Sequence, residues 1–183
     1  MKVKLNTDLS EGEVYSIGYF VAQWGFLEND IYEQTILSFD DVETLPSSVV
    51  KNAQFGNILK LWLKRVVEKQ EEPKKSTLRE QYNRISEMNE VRQSLVHSRW
   101  EWSRIAPDEI TAVRVHKGTV KRKTFDSDSL YDLAASVGEI RYSVRYPGGI
   151  EDQADEMMQN GGHISRDAWH LITKKKNSDD ADG

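Results

Sequence analysis

Apolar residues return at three- and four-residue steps along most of this chain, the period of helices that bury one face. Over about 11–38, Val14, Ile17, Val21, Trp24 and Ile31 mark one stripe, which Phe20 and Leu27 widen. Asp8 or Ser10 can cap its start, with Glu11 and Glu13 near the positive end of the dipole. Asp40, Asp41 and Leu45-Pro46 end it, since proline pushes its predecessor out of the helical region. Residues 47–54 read as a turn or a short extra helix. A second helix is predicted over about 55–71, with Ile58, Leu59, Trp62, Leu63, Val66 and Val67 on its apolar face. QEEPKK, residues 70–75, is a charged turn broken by Pro73.

A third helix is predicted from about Ser76 to His97, with Leu78, Tyr82, Ile85, Met88, Val91, Leu95 and Val96 on one side. The period then changes. Residues 99–125 read as strands and turns: RWEWSR, a Pro107-Asp108 turn, and a hairpin whose tight turn is Lys117-Gly118. Val113, Val115 and Val120 support its two short strands. A fourth helix starts after Asp126 or Ser127, carries Leu130, Leu133, Ala134, Val137 and Ile140, and stops at Pro147-Gly148-Gly149. EDQADEMMQN reads as a short helix, a helical scrap around Trp169 follows, and KKKNSDDADG reads as a disordered tail. The expected fold is mainly α: a bundle of about four long helices over 1–149 with a small β-hairpin (about 99–125) inserted before the last. Residues 150–183 form a short helical segment and a tail.

The chain has 183 residues, enough for a core without staples, and no cysteine, which excludes disulfides, thiolate zinc sites and Cys nucleophiles. No run is apolar enough for a membrane span, and the start lacks the apolar core of a secretory signal. The expectation is a soluble cytoplasmic protein with no membrane partner. A net charge of −5 argues against coating bulk nucleic acid, but leaves room for a small basic site on an acidic body.

Arg92 disturbs the pattern. On an ideal wheel it sits about 40° from Met88, in the middle of the third helix's apolar stripe. A guanidinium there must reach a carboxylate such as Glu87 or Glu28, line a cleft, or face a second subunit. His97 lies about 140° around the wheel from Arg92, at the helix end, where an imidazolium would also suit the dipole.

Arg92, four residues, then His97 at the end of the third helix, with Trp100 and a basic hairpin following, resembles the HEPN superfamily. These are small helical proteins, many of them RNases of toxin–antitoxin, abortive-infection and CRISPR-linked systems. The resemblance spans roughly 11–146 in element order, and in letters the run VRQSLVHSRW. It implies a HEPN-like bundle and a metal-independent endoribonuclease acting as a toxin or defence effector, or else a non-catalytic module that binds RNA or a protein. It assigns Arg92 and His97 as the catalytic pair, with Glu90, Gln93, Ser94 and Trp100 in support. Gln93 stands where such proteins often carry Asn. Arg99 stands where members paired with a nucleotidyltransferase antitoxin often carry Tyr, so nucleotide attachment there is not implied. The implied partners are RNA, a second copy of the chain, and a cognate antitoxin or other regulatory protein. No cofactor and no metal are implied.

The chemistry can also be argued directly. Metal-free RNA cleavage needs a base for the 2′-hydroxyl, an acid for the 5′-oxygen and a cation for the developing phosphorane charge. Histidine serves as base or acid, and a guanidinium grips two phosphate oxygens. One chain offers one histidine at the motif. A two-fold dimer supplies two, and would also cover an arginine on an apolar stripe. The products would be a 2′,3′-cyclic phosphate and a 5′-hydroxyl.

Arg114, Lys117, Lys121, Arg122 and Lys123 give the hairpin a run of cations without an acid. They read either as an RNA-backbone clamp or as lysines that blunt an exposed edge. Trp100 and Trp102 share one face if extended, for stacking bases or for packing the hairpin onto the bundle. His163, His170, Asp152, Asp155 and Glu156 match no ligand spacing for a metal.

Overall fold

The structure, a computed structural model, describes residues 9–39 and 54–160. The expectations for 47–53, Trp169, His163, His170 and the tail lie outside those residues. The chain divides into two compact units, 1–147 and 148–183. The first is mainly helical, with helices α1 (Glu11–Leu37), α2 (Phe55–Arg65), α3 (Lys74–His97) and α4 (Ser127–Arg145). Between α3 and α4 lies a sheet of β1 (Arg99–Ser103), β2 (Ala106–His116) and β3 (Thr119–Asp126). In the second unit, α5 spans Ile150–Asn160, where the sequence predicts a short helix.

Ser10 caps α1 in a reciprocal box: its hydroxyl accepts from the Glu13 amide, and its own amide donates to the Glu13 carboxylate at 2.6 Å. The buried stripe is Phe20, Trp24, Leu27 and Ile31, whereas Val14 and Val21 are exposed. The expected stripe is therefore rotated. Phe20 and Leu27, expected at its edge, lie at its centre.

α1 and α4 pack along each other in the same direction. Their N-terminal ends line one surface cleft, and further along Arg141 pairs with Asp30 at 2.7 Å. Trp62 of α2 is fully buried, and its indole N–H donates to the Gln34 Oε1 at 2.8 Å. The Gln34 amide in turn donates to the Val144 carbonyl, so one polar relay ties α2 through α1 to α4. Arg65 closes the end of α1 by donating to the Ser38 carbonyl at 2.6 Å, one of the acceptors a helix end leaves open.

The second helix ends earlier than expected. α2 stops at Arg65 and a 3-10 turn, Val67–Lys69, buries Val67 beneath it. α3 buries Leu78, Gln81, Ile85 and Leu95, while Val96, expected on the apolar face, is exposed. Asp126 caps α4 by accepting from the Ser129 amide at 2.7 Å.

The expected two-stranded hairpin is a three-stranded antiparallel meander, β1-β2-β3. RWEWS forms a full strand against β2, with Trp100 opposite Ala112 and Trp102 opposite Ile110. The turn expected at Pro107-Asp108 falls earlier, at Arg104-Ile105, and Pro107 lies within β2. The Lys117-Gly118 turn is where the sequence puts it. Both residues have positive φ (50° and 76°), the tight turn that matches strand twist. The sheet packs on the helices through Ile110, Ala112 and Phe125. Val113 and Val115, which support the strand in sequence, point to its outer face, and Val115 is exposed.

On that outer face Glu101 bonds Arg122 at 2.7 Å and also pairs with Arg99. Those hydrogen bonds, Arg122 first, hold its carboxyl below an unperturbed glutamate's value near 4.5. Glu68 is lowered in the same way by Arg79 and then Lys75. A depressed folded-state pKa adds stability above the unfolded value, and that stability is lost as pH falls through the folded value. The melting temperature should therefore drop below about pH 4.5. The drop should be shallower in Glu101→Gln. An identical acid limb in the variant would show that this pairing adds nothing.

Candidate functional site

Strand alternation sorts the basic hairpin into two faces. Arg114, His116, Lys121 and Lys123 share the helix-facing side with Ile110, Ala112 and Phe125, and Arg122 lies on the other with Glu101. The run is therefore not one clamp. Lys123 sits over the Phe125 ring at 5.6 Å, and Lys117 occupies the turn. Arg114 and Lys121 pair with the motif helix: Glu90 of α3 receives Arg114 at 3.3 Å and Lys121 at 3.8 Å.

That approach opens a cleft of about 820 Å³ between α1, the start of α2, α3 and β2. Glu28 and Tyr32 line it from α1, and Gln54, Phe55, Gly56 and Ile58 from the start of α2. α3 contributes Asn89, Glu90, Arg92 and Gln93, and β2 contributes Arg114 and His116. Arg92 is three-quarters buried and its Nη2 lies 3.6 Å from the Glu28 carboxylate. One of the carboxylates named from sequence is thus its partner, and the arginine also lines a cleft. The Arg114 side chain is more deeply buried, at 11% exposure, and its Nε has no hydrogen-bond partner. Asn89 Oδ1 is likewise buried without a partner.

His97 is the last residue of α3, exposed, and not among the residues lining the cleft. Within one chain the motif's two members thus face different surroundings, as their wheel separation implies. Of the supporting residues, Glu90 and Gln93 line the cleft. The Ser94 hydroxyl turns back to the Glu90 carbonyl at 3.2 Å. Trp100 packs against Phe125 with ring centres 5.9 Å apart, so of its two readings the structure shows packing. Trp102 donates its indole N–H to the Pro107 carbonyl and remains half-exposed.

His116 is the residue that reading the sequence misses. The signal is in the sequence: Ile110, Ala112, Arg114 and His116 alternate along one strand face, but the valines between them give the other face an apolar pattern of its own. Among the described residues no group of three His, Asp or Glu is placed to hold a metal ion. Asp152 instead accepts the Gly148 amide at 2.7 Å. No helix among them is long and apolar enough to cross a membrane. No protein-family model, curated protein or solved structure matches the chain.

Proposed function

We propose that this chain is a HEPN-like helical protein and a metal-independent endoribonuclease, a toxin or defence effector whose site is completed by a second copy. The observation that carries this reading is Arg92: a guanidinium on an apolar helix face, held by one carboxylate at 3.6 Å and open to a cleft. A purely structural arginine in that position would be expected to make a closer pair. His97 is exposed at the end of the same helix, beside Val96, an apolar side chain 42% exposed. A two-fold contact over this end of α3 brings two imidazoles together, one to take the 2′-hydroxyl proton and one to protonate the 5′-oxygen. As the 2′-oxygen bonds to phosphorus and the 5′-oxygen leaves, Arg92 neutralises the charge on the non-bridging phosphoryl oxygens.

A second reading draws on the same geometry. Arg92 does have a carboxylate partner in Glu28, and His97 does not reach the cleft. Both facts suit a non-catalytic module that binds RNA or a partner protein through the cleft. Incubating the full chain with single-stranded RNA in excess EDTA separates the two. The nuclease yields 2′,3′-cyclic phosphate and 5′-hydroxyl ends, whereas the binding module retains the RNA uncut. Cleavage that EDTA abolishes and Mg²⁺ restores contradicts the metal-independent mechanism.

A further inference from the structure

We infer that the cleft between α1, α3 and β2 is a nucleotide subsite in which Arg92, Arg114 and His116 hold a phosphate group and Tyr32 and Phe55 face the base. The inference rests on the reading of the chain as an RNA-acting protein, and extends the Arg92 side of its site into a cleft that His97 does not line. Its first support is the state of the two arginines. Each has an ion-pair partner at one terminal nitrogen, Arg92 at Glu28 and Arg114 at Glu90, which leaves N–H donors on both. Arg114 Nε is buried without an acceptor, and Asn89 Oδ1 is buried without a donor. Unpaired polar atoms in a protein interior are costly, and two in the wall of one cleft point to a ligand that rearranges and satisfies them.

The second support is the composition of the walls. Two guanidiniums from different elements, with an imidazole two residues along the same strand face, offer more donors than a carboxylate has acceptor sites for. A phosphate, with several oxygens, matches that set better. Tyr32, Phe55 and Ile58 supply flat and apolar surface for a base, and Gln54, Asn89 and Gln93 supply amides for its edge. Glu28 and Glu90 balance the two arginines, so the cleft is not a general trap for polyanions. An anion must exchange with those carboxylates, which favours a ligand that also engages the aromatic wall.

Binding can be read apart from cleavage with an oligoribonucleotide carrying 2′-O-methyl groups, which has no 2′-hydroxyl to attack. The full chain should bind it. His116→Ala and Arg114→Gln should each weaken binding about five-fold or more. His116 is exposed, so its variant keeps the test decisive even if Arg114→Gln does not fold. Adenosine 5′-monophosphate, titrated in parallel, identifies the source of the phosphate. If it binds with the same sensitivity to His116→Ala, a free nucleotide suffices; if only the oligonucleotide does so, the subsite reads a strand. Either result supports the subsite. Undiminished oligonucleotide binding by His116→Ala, or no binding of either probe by the wild-type chain, overturns it. A cleavage-dead chain that still binds through His116 would instead count against the nuclease reading alone.

Discussion

Replacing Trp62 by alanine is expected to destabilise the fold by about 3–5 kcal/mol, the largest loss of any single position considered. The indole is fully buried, so its removal leaves a cavity at the meeting of α2 and α1. It also ends the relay in which Trp62 donates to Gln34 and Gln34 donates to Val144. Trp62→Phe separates the two effects. It retains most of the apolar volume but removes the N–H, and should cost about 1–3 kcal/mol for the smaller ring and the unpaired acceptor. Urea unfolding of the three proteins measures both. A loss under 1 kcal/mol for the alanine variant would mean that α2 does not seal this core.

The second large effect is on activity. His97→Ala should lower RNA cleavage by about 10²–10⁴-fold, the usual worth of a positioned acid or base. Its effect on stability should stay within about 0.5 kcal/mol, because the side chain is exposed at a helix end. Arg92→Ala should behave differently. It strands Glu28 beside a partly buried cleft, so it should cost about 1–2 kcal/mol of stability as well as cleavage. Thermal melts alongside cleavage rates check this contrast. A His97 variant that unfolds while Arg92→Ala melts normally would reverse the roles assigned to the two residues.

The long helices were legible in the sequence because their apolar period and caps agree. Ser10 with Glu13, and Asp126 with Ser129, mark the starts of α1 and α4 through local hydrogen bonds. The Lys117-Gly118 turn was legible for the same local reason. The buried face of α1 was not. Tyr15, Tyr19 and Phe26 are apolar too, yet exposed, so hydrophobicity around that helix does not single out one direction. The helix that α1 packs on most is α4, and residues that pair across the two, such as Asp30 and Arg141, lie more than a hundred positions apart in sequence. The meander was half legible, since a strand such as RWEWS is defined by pairing with β2 rather than by its own pattern. The candidate site followed the same division. Arg92 stood out as a charge on an apolar stripe, and Glu28 was among the acids it could reach. Arg114 and His116 join it only through packing of β2 on α3, which no local period encodes.

The claim on which the nuclease reading turns is that cleavage needs two chains, and specific activity across dilution tests it most directly. RNA cleavage in EDTA, measured per chain alongside sedimentation of the same samples, should fall as the dimer dissociates and recover on concentration. A folded monomer that cleaves at the full rate per chain, or a dimer that leaves RNA intact at every concentration, would contradict it.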